Sequence, residues 1–220
     1  MAIPHDGDVD RHTQIILNRY ADRDNIKLLH TAPNVLIERY LAKVMAVDEI
    51  AGKTILELGA GGSQYVPIFL GNGCKRYYAN DIIPERLNVV RRDDPRFVEK
   101  PGDFRNIAVP EPVDIVFANL TMMFLQPLLN EFVVRIRESL KVGGSFLSYD
   151  ANYFCPLSIY RHFRTRGANP GRVFSPFRYA RAFQRNGFEI ERLVPLTAAY
   201  NWTTGNWLFG TSFWLRARKL

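Results

Sequence analysis

The sequence predicts an α/β fold, an open and mostly parallel sheet with helices on both faces. Three observations carry this. Short β-branched and aromatic runs alternate with stretches whose apolar residues recur at helical spacing. The first such run, Thr54-Ile55-Leu56-Glu57-Leu58, is followed at once by the glycine cluster Gly59-Ala60-Gly61-Gly62. The next run closes on an acid, Asp81, 22 residues after Gly59. A buried strand, a tight turn, a helix and a second strand tipped by an acid make up the nucleotide-binding half of a doubly wound sheet.

The totals agree with this class. At 220 residues the chain has the size of one domain with a substantial core. No apolar run reaches the ~18 residues that would span a bilayer, and residues 1–10 are polar, unlike a signal peptide. Cys74 and Cys155 form neither a disulfide framework nor a metal-ligand spacing. A reducing cytoplasm and no metal are the simpler reading, with one long-range disulfide left open. The formal charge of +7 is uneven: residues 1–150 sum to −2 and residues 151–220 to +9. The last third therefore presents either an anion-binding surface or a solvated basic face.

Taken in order, residues 1–52 read as a tail followed by a helical cap, and residues 53–220 as the core. Helices are expected over 13–20 and about 33–46, the second capped by Thr31 with Ile37, Leu41 and Val44 inward. After the glycine turn a helix is expected over 64–70, with Ser63 as N-cap, stopped by Gly71-Asn72-Gly73. Residues 75–80 give the second strand, Pro84 opens a helix, and 97–100 is a weak third strand. Val113-Asp114-Ile115-Val116-Phe117-Ala118-Asn119-Leu120 has the composition of a central strand buried on both faces. Leu128, Leu129, Phe132, Ile136 and Leu140 mark a helix face, and Gly143-Gly144 leads into a fifth strand over 145–150. Ser175-Pro176 opens a helix with Phe177, Ala180 and Phe183 or Gln184 inward and its arginines outward, ended by Asn186-Gly187. Strands over 188–195 and 207–218, separated by a turn-rich loop at 201–206, complete the sheet.

The glycine turn lets a ligand approach the backbone, and the N–H groups of the following helix point into the same gap. A dinucleotide fingerprint wants glycine at position 64, where this chain has Gln. Glu57 would repel a pyrophosphate but suits a cationic ligand. Asp81 offers two oxygens to two vicinal ribose hydroxyls, its alternative being a cap for the helix at Pro84.

The phrase Glu57-Leu58-Gly59-Ala60-Gly61-Gly62 resembles the first motif of the class I S-adenosylmethionine (SAM)-dependent methyltransferases, with Ser63 in place of the last glycine. Gly102-Asp103-Phe104 resembles the third motif of that family, and Leu140-Lys141-Val142-Gly143-Gly144-Ser145-Phe146-Leu147 its helix–Gly-Gly–strand segment. The resemblance covers residues 53–150 in order. It implies a Rossmann-like fold of seven strands, the last antiparallel, with an N-terminal helical cap. It also implies SAM as cofactor and S-adenosylhomocysteine (SAH) as product. Glu57, Gly59, Ala60 and Gly61 would then meet the donor, Ile82 and Phe104 the adenine ring, and Asp103 its amino group. Asn119 and Leu120 would pass the transferable methyl, and Tyr20 would reach the cofactor from the cap. Asn119 is followed by Leu-Thr-Met, which does not support amino-methylation of nucleic-acid bases.

The stretch 151–186 carries Arg161, His162, Arg164, Arg166 and four further arginines among aromatics. Arginine forks match phosphate and carboxylate oxygens. Acceptor contacts are therefore expected from Arg161, Arg164, Arg166, Tyr153 and Met122, and from His30 in the cap. Asp150 at a strand tip and His162 are the candidate general bases. The expected activity is methyl transfer to a small anionic metabolite, O-methylation first, of natural-product, glycan or nucleotide-sugar type. An RNA methyltransferase and a SAM-binding protein without turnover are the alternatives, and the basic segment also suits anionic lipid headgroups.

Overall fold

A computed structural model describes residues 41–42, 44–62, 65–87, 93–125, 128–164, 175–197 and 207–220. Its strands are β1 (Thr54–Leu58), β2 (Arg76–Asp81), β3 (Phe97–Pro101), β4 (Val113–Asn119), β5 (Leu140–Ala151), β6 (Phe188–Thr197) and β7 (Gly210–Lys219). They form one sheet in the order β3-β2-β1-β4-β5-β7-β6. Strands β1 to β5 pair in parallel, whereas β7 pairs antiparallel with both β5 and β6. Chain order reverses direction between β1 and β4, so a switch point opens at their C-terminal ends.

The helices are α1 (Val66–Gly71), α2 (Pro84–Leu87), α3 (Leu129–Ser139), α4 (Pro156–Arg164) and α5 (Pro176–Arg185). All five residues of β1 are buried, as expected of a parallel strand covered on both faces. Its period of two sends Ile55 to one core and Leu56 and Leu58 to the other. The first core holds Phe69, Tyr77, Phe117 and Trp214. The second packs Phe132 and Ile136 of α3 and Tyr179 and Phe183 of α5 on Val116, Phe146 and Phe213. Phe146 and Phe183 stack with ring centroids 4.6 Å apart, an arrangement that adds to their burial.

Several boundaries differ from expectation, each for a local reason. Helix α1 begins at Val66 with Tyr65 at its N-cap and no side-chain cap bond, while Ser63, expected as the cap, lies outside the described residues. The helix expected to reach Ala46 has given way to turns by Ala42, with the N–H groups of Val44 and Met45 both returning to Leu41 O. Gly143-Gly144 does not precede β5 but lies inside it, as an irregularity in the pairing with β4. A Cβ on Gly144 would stand 2.9 Å from Lys141 O, which explains the glycine. On α5, Ser175 accepts the Phe177 N–H at 3.2 Å as a true N-cap. Tyr179, Ala180, Ala182 and Phe183 face inward, but Phe177 points outward, 46% exposed.

Leu41, Val44, Met45 and Ile50 are buried in the first core, so the chain just before residue 53 shares it. Arg216 of β7 fastens that stretch, donating to Val44 O at 2.9 Å and pairing with Glu49 at 2.7 Å. Cys74 and Cys155 are free and buried. Among the described residues no helix is long and apolar enough to cross a membrane.

Candidate cofactor and acceptor site

The C-terminal ends of β1, β2 and β4 meet around the glycine turn, and hydrogen bonds fix it from both sides. From β2, Asn80 O accepts the Ala60 N–H at 2.7 Å, and Asp81 Oδ2 accepts the Gly61 N–H at 2.8 Å. Asp81 Oδ1 accepts the Ile83 N–H at 2.9 Å, so one carboxylate joins the glycine turn to the turn after β2. Each oxygen keeps a further lone pair for a hydroxyl donor. Burial pushes the Asp81 pKa up, against the pull of these N–H groups and of Arg86.

From β4, Thr121 reaches across to β1. Its hydroxyl lies 3.1 Å from Leu58 O and 3.0 Å from Asn119 O and donates between them. Gly59 has φ +62°, and a Cβ there would fall 2.4 Å from Thr121 Oγ1. Glycine is thus required twice, by conformation and by space. Thr121 is a turn-fixing residue at the candidate site that sequence reasoning missed, because its partner is 63 residues away. Before it, Leu120 holds φ +52°, the only positive φ outside glycine among the described residues. Its N–H donates to Tyr149 O at 2.7 Å. A branched residue held there costs about 1–2 kcal/mol, so the tip of β4 is a strained point at the switch crevice.

Other expected cofactor residues divide by environment. Glu57 is buried at the end of β1 and accepts the Tyr77 hydroxyl. Ile82 is half-buried in the turn after β2. The backbone of Gly102, bonded to Asp81 O at 2.9 Å, brings Asp103 beside the same tips. Asp103, however, holds Arg105 of its own turn. Burial opposes its ionisation, but the guanidinium and the Arg105 N–H outweigh it and keep its pKa below the usual carboxylate value. Phe104 lies beneath, stacked on Phe132 with centroids 6.0 Å apart, so it is a core residue of that turn.

On the acceptor side, two expectations are corrected. Met122 is fully buried in the second core, because the turn Met122–Phe124 tucks under the tip of β4, and it offers no surface to an acceptor. Asp150 has no exposed surface either. Its Oδ1 accepts the Met123 N–H at 3.3 Å, while Oδ2 has no hydrogen-bond partner among the described residues. Burial above all drives its pKa well above the ordinary value, with Met123 N–H and Ser148 opposing. Enclosed and bound to Met123 N–H, Asp150 orders the turn after β4 and has no surface from which to act as a base. Beyond it, Tyr179 donates to Ser148 Oγ at 3.0 Å.

Tyr153 is buried in the turn after β5. Beside it, Asn152 ties three segments together. Its Oδ1 accepts the Phe154 N–H at 2.9 Å, and its Nδ2 donates to Trp207 O at 2.9 Å and Gly210 O at 2.6 Å. Arg161, His162 and Arg164 lie on α4, with side chains outside the described part, and Tyr20, His30, Ser63, Gln64 and Arg166 lie outside the described residues.

Comparison with known proteins follows the same lines. Residues 56–148 match a family model described as a methyltransferase domain. No curated protein matches the sequence. Among solved structures, the chain is similar to an S-adenosylmethionine-dependent methyltransferase from Mesorhizobium loti, with TM-score 0.69 and 15% identity over 87% of this chain and 100% of that one. It is similar to the magnesium protoporphyrin IX methyltransferase of Synechocystis PCC 6803 with bound SAH, with TM-score 0.71 and 12% identity over 94% and 99%. A glycopeptide N-methyltransferase complexed with SAM gives TM-score 0.62 and 15% identity over 86% and 88%.

Proposed function

We propose that this chain, whose residues 56–148 match a methyltransferase-domain model, is a class I S-adenosylmethionine-dependent methyltransferase that transfers the methyl group to a small anionic acceptor, with oxygen favoured as the methylated atom. The glycine turn and Asp81 suit the cofactor. Two glycines with positive φ leave the backbone bare, and a carboxylate with free lone pairs stands beside them. When bound, SAM supplies a methyl already activated on a sulfonium. The residues of the chain therefore have to bind, orient and exclude water. In this reading Asp81 takes the ribose hydroxyls. Thr121 and Asp150 fix the turns on either side of the β4 tip, where the acceptor enters.

The observation that carries the acceptor class is charge. Between Asp150 and Glu189 the chain holds seven arginines and no acid, and this stretch follows directly from the tip of β5. Arg161, Arg164 and Arg166 are assigned to the acceptor anion, and His162 to proton removal from a hydroxyl. A phosphorylated or carboxylated natural-product precursor, a glycan intermediate or a nucleotide-sugar fits this chemistry.

The test begins with calorimetric titration of SAH, with NAD as control. SAH is expected to bind and NAD not. SAH formation is then followed with paired anionic and neutral hydroxyl compounds. Replacing Arg161, Arg164 and Arg166 together with Ala should raise the acceptor KM about tenfold or more, the loss expected when charge-assisted hydrogen bonds go, and spare SAH affinity. Equal use of neutral acceptors, or turnover only with RNA, would overturn the acceptor assignment.

A further inference from the structure

Beyond β5 the surface changes character. Six large apolar side chains at this end are 44–67% exposed: Phe154, Leu157, Tyr160, Phe177, Leu208 and Phe209. They come from three places in the chain, residues 154–160 at the start of α4, the first turn of α5 and the approach to β7. Ring contacts join two of them to each other and to Trp207. Phe154 meets Phe177 at 5.8 Å between centroids, and Phe177 meets Trp207 at 5.0 Å. The patch is also held in shape. Asn152, itself fully buried, binds the Phe154 N–H on one side and the Trp207 and Gly210 carbonyls on the other. A fixed apolar surface of this kind on a water-facing protein marks an interaction site.

Charge selects the partner. Arg178, Arg181 and Arg185 are exposed on the same outer face of α5 as Phe177, and no described carboxylate pairs with them. The two acids in residues 151–220, Glu189 and Glu191, are on β6 and are engaged by Arg216 and Arg218. A second copy of this chain would set arginine against arginine. Nucleic acid would use the rings but gain little from Leu157 and Leu208, which have no face on which a base can stack. An anionic bilayer satisfies both components, since aromatic and leucine side chains enter the headgroup boundary while arginines meet lipid phosphates.

We propose that this face, the outer side of α5 with the apolar patch at its first turn, docks the protein peripherally on anionic membrane. The proposal goes beyond methyl transfer and stands or falls separately from it. It is tested with the full chain by co-sedimentation with vesicles of phosphatidylcholine alone and of phosphatidylcholine mixed with phosphatidylglycerol. Binding is expected only to the mixed vesicles and should weaken as salt rises. Phe177→Ser with Phe209→Ser should reduce binding at least tenfold. Each of Arg178→Ser, Arg181→Ser and Arg185→Ser should reduce it about fivefold. All these variants should retain SAH affinity, which reports an intact sheet. The unmodified protein gives an independent reading: brominated lipid in the mixed vesicles should quench part of its tryptophan emission, since Trp207 borders the patch. No binding to the mixed vesicles, equal binding to phosphatidylcholine alone, or no quenching overturns the proposal. A concentration-dependent dimer abolished by Phe209→Ser would overturn it too, and would assign the face to a second copy.

Discussion

The two sides of the crevice are built on different plans. On the side of β1, β2 and β4, short groups close on one another: Asp81 on Gly61 N–H, Asn80 O on Ala60 N–H, Thr121 on Leu58 O. On the side of β5 and β7, Asn152 ties the turns together and the surface beyond it is aromatic and basic. The first side is held by backbone geometry, and at Gly59 an added Cβ collides with Thr121. The second side contributes area and charge, which tolerate change one residue at a time. Substitutions should therefore act sharply on the first side and gradually on the second.

The largest effect is expected at Gly59. Gly59→Ala places a Cβ in left-handed backbone and against Thr121 Oγ1. The two penalties together should destabilise the fold by about 2–5 kcal/mol and abolish measurable SAH binding. Adding Thr121→Ala should recover the steric share only, so a double-mutant cycle in chemical denaturation separates space from conformation. Wild-type affinity in Gly59→Ala would show that the turn is not the cofactor cradle.

Asp81→Ala comes next. It leaves the Gly61 and Ile83 N–H groups without their acceptor and removes the ribose partner. SAH affinity should fall roughly tenfold to a hundredfold, with Asp81→Asn intermediate by calorimetry. Unchanged affinity in a folded Ala variant would remove the ribose role. Thr121→Val keeps the shape but loses the hydroxyl, for about 1 kcal/mol or roughly fivefold in SAH affinity, and Thr121→Ser should restore it. If the serine fails to rescue, the residue acts by shape alone.

Asp150 gives an effect that depends on pH. Its pKa is raised in the fold, so the folded state keeps a proton that the unfolded chain releases near pH 3.9. Full stability is present below that pH and declines as pH rises toward the folded pKa, by at most about 1.4 kcal/mol per pH unit. Asp150→Asn carries no such proton, so its stability relative to the parent should improve with rising pH. Parallel denaturation profiles would show that the carboxyl ionises freely. The smallest effect concerns Cys74, whose pKa burial pushes up to about 11. The native thiol should be almost silent to a chromogenic disulfide at pH 8, where only about one in a thousand is thiolate, and should react on unfolding. Fast native labelling would show that the first core opens.

The same contrast explains how far the sequence could be read. The first strand, its glycine turn, Asp81, β4 and the α3 face were legible, because period and spacing are local properties. The Ser175 cap was legible for the same reason. Thr121 and Asn152 were not, since their bonds join residues 63, 55 and 58 positions away. Met122 and Asp150 failed in another way. Polar or soft residues at a strand tip look alike in sequence whether they face a ligand or the core, and only the packed turns decide. Phe177 was misplaced because a helical period locates an apolar stripe only to within one residue of its border. Its exposed ring then became part of the most informative surface of the molecule.

The position of β7 has a consequence for how the chain assembles. This strand is the last of the seven in sequence, yet it lies inside the sheet, between β5 and β6. Until β7 is synthesised, β6 has no neighbour to pair with, and Phe213, Trp214 and Leu215 are missing from both cores. A growing chain can therefore pair β1 to β5 as they emerge but cannot close the domain. Non-local closure of this kind is slow and leaves apolar surface and strand edges exposed in the meantime. Yield during expression should thus depend on the integrity of β7 far more than its distance from the glycine turn suggests.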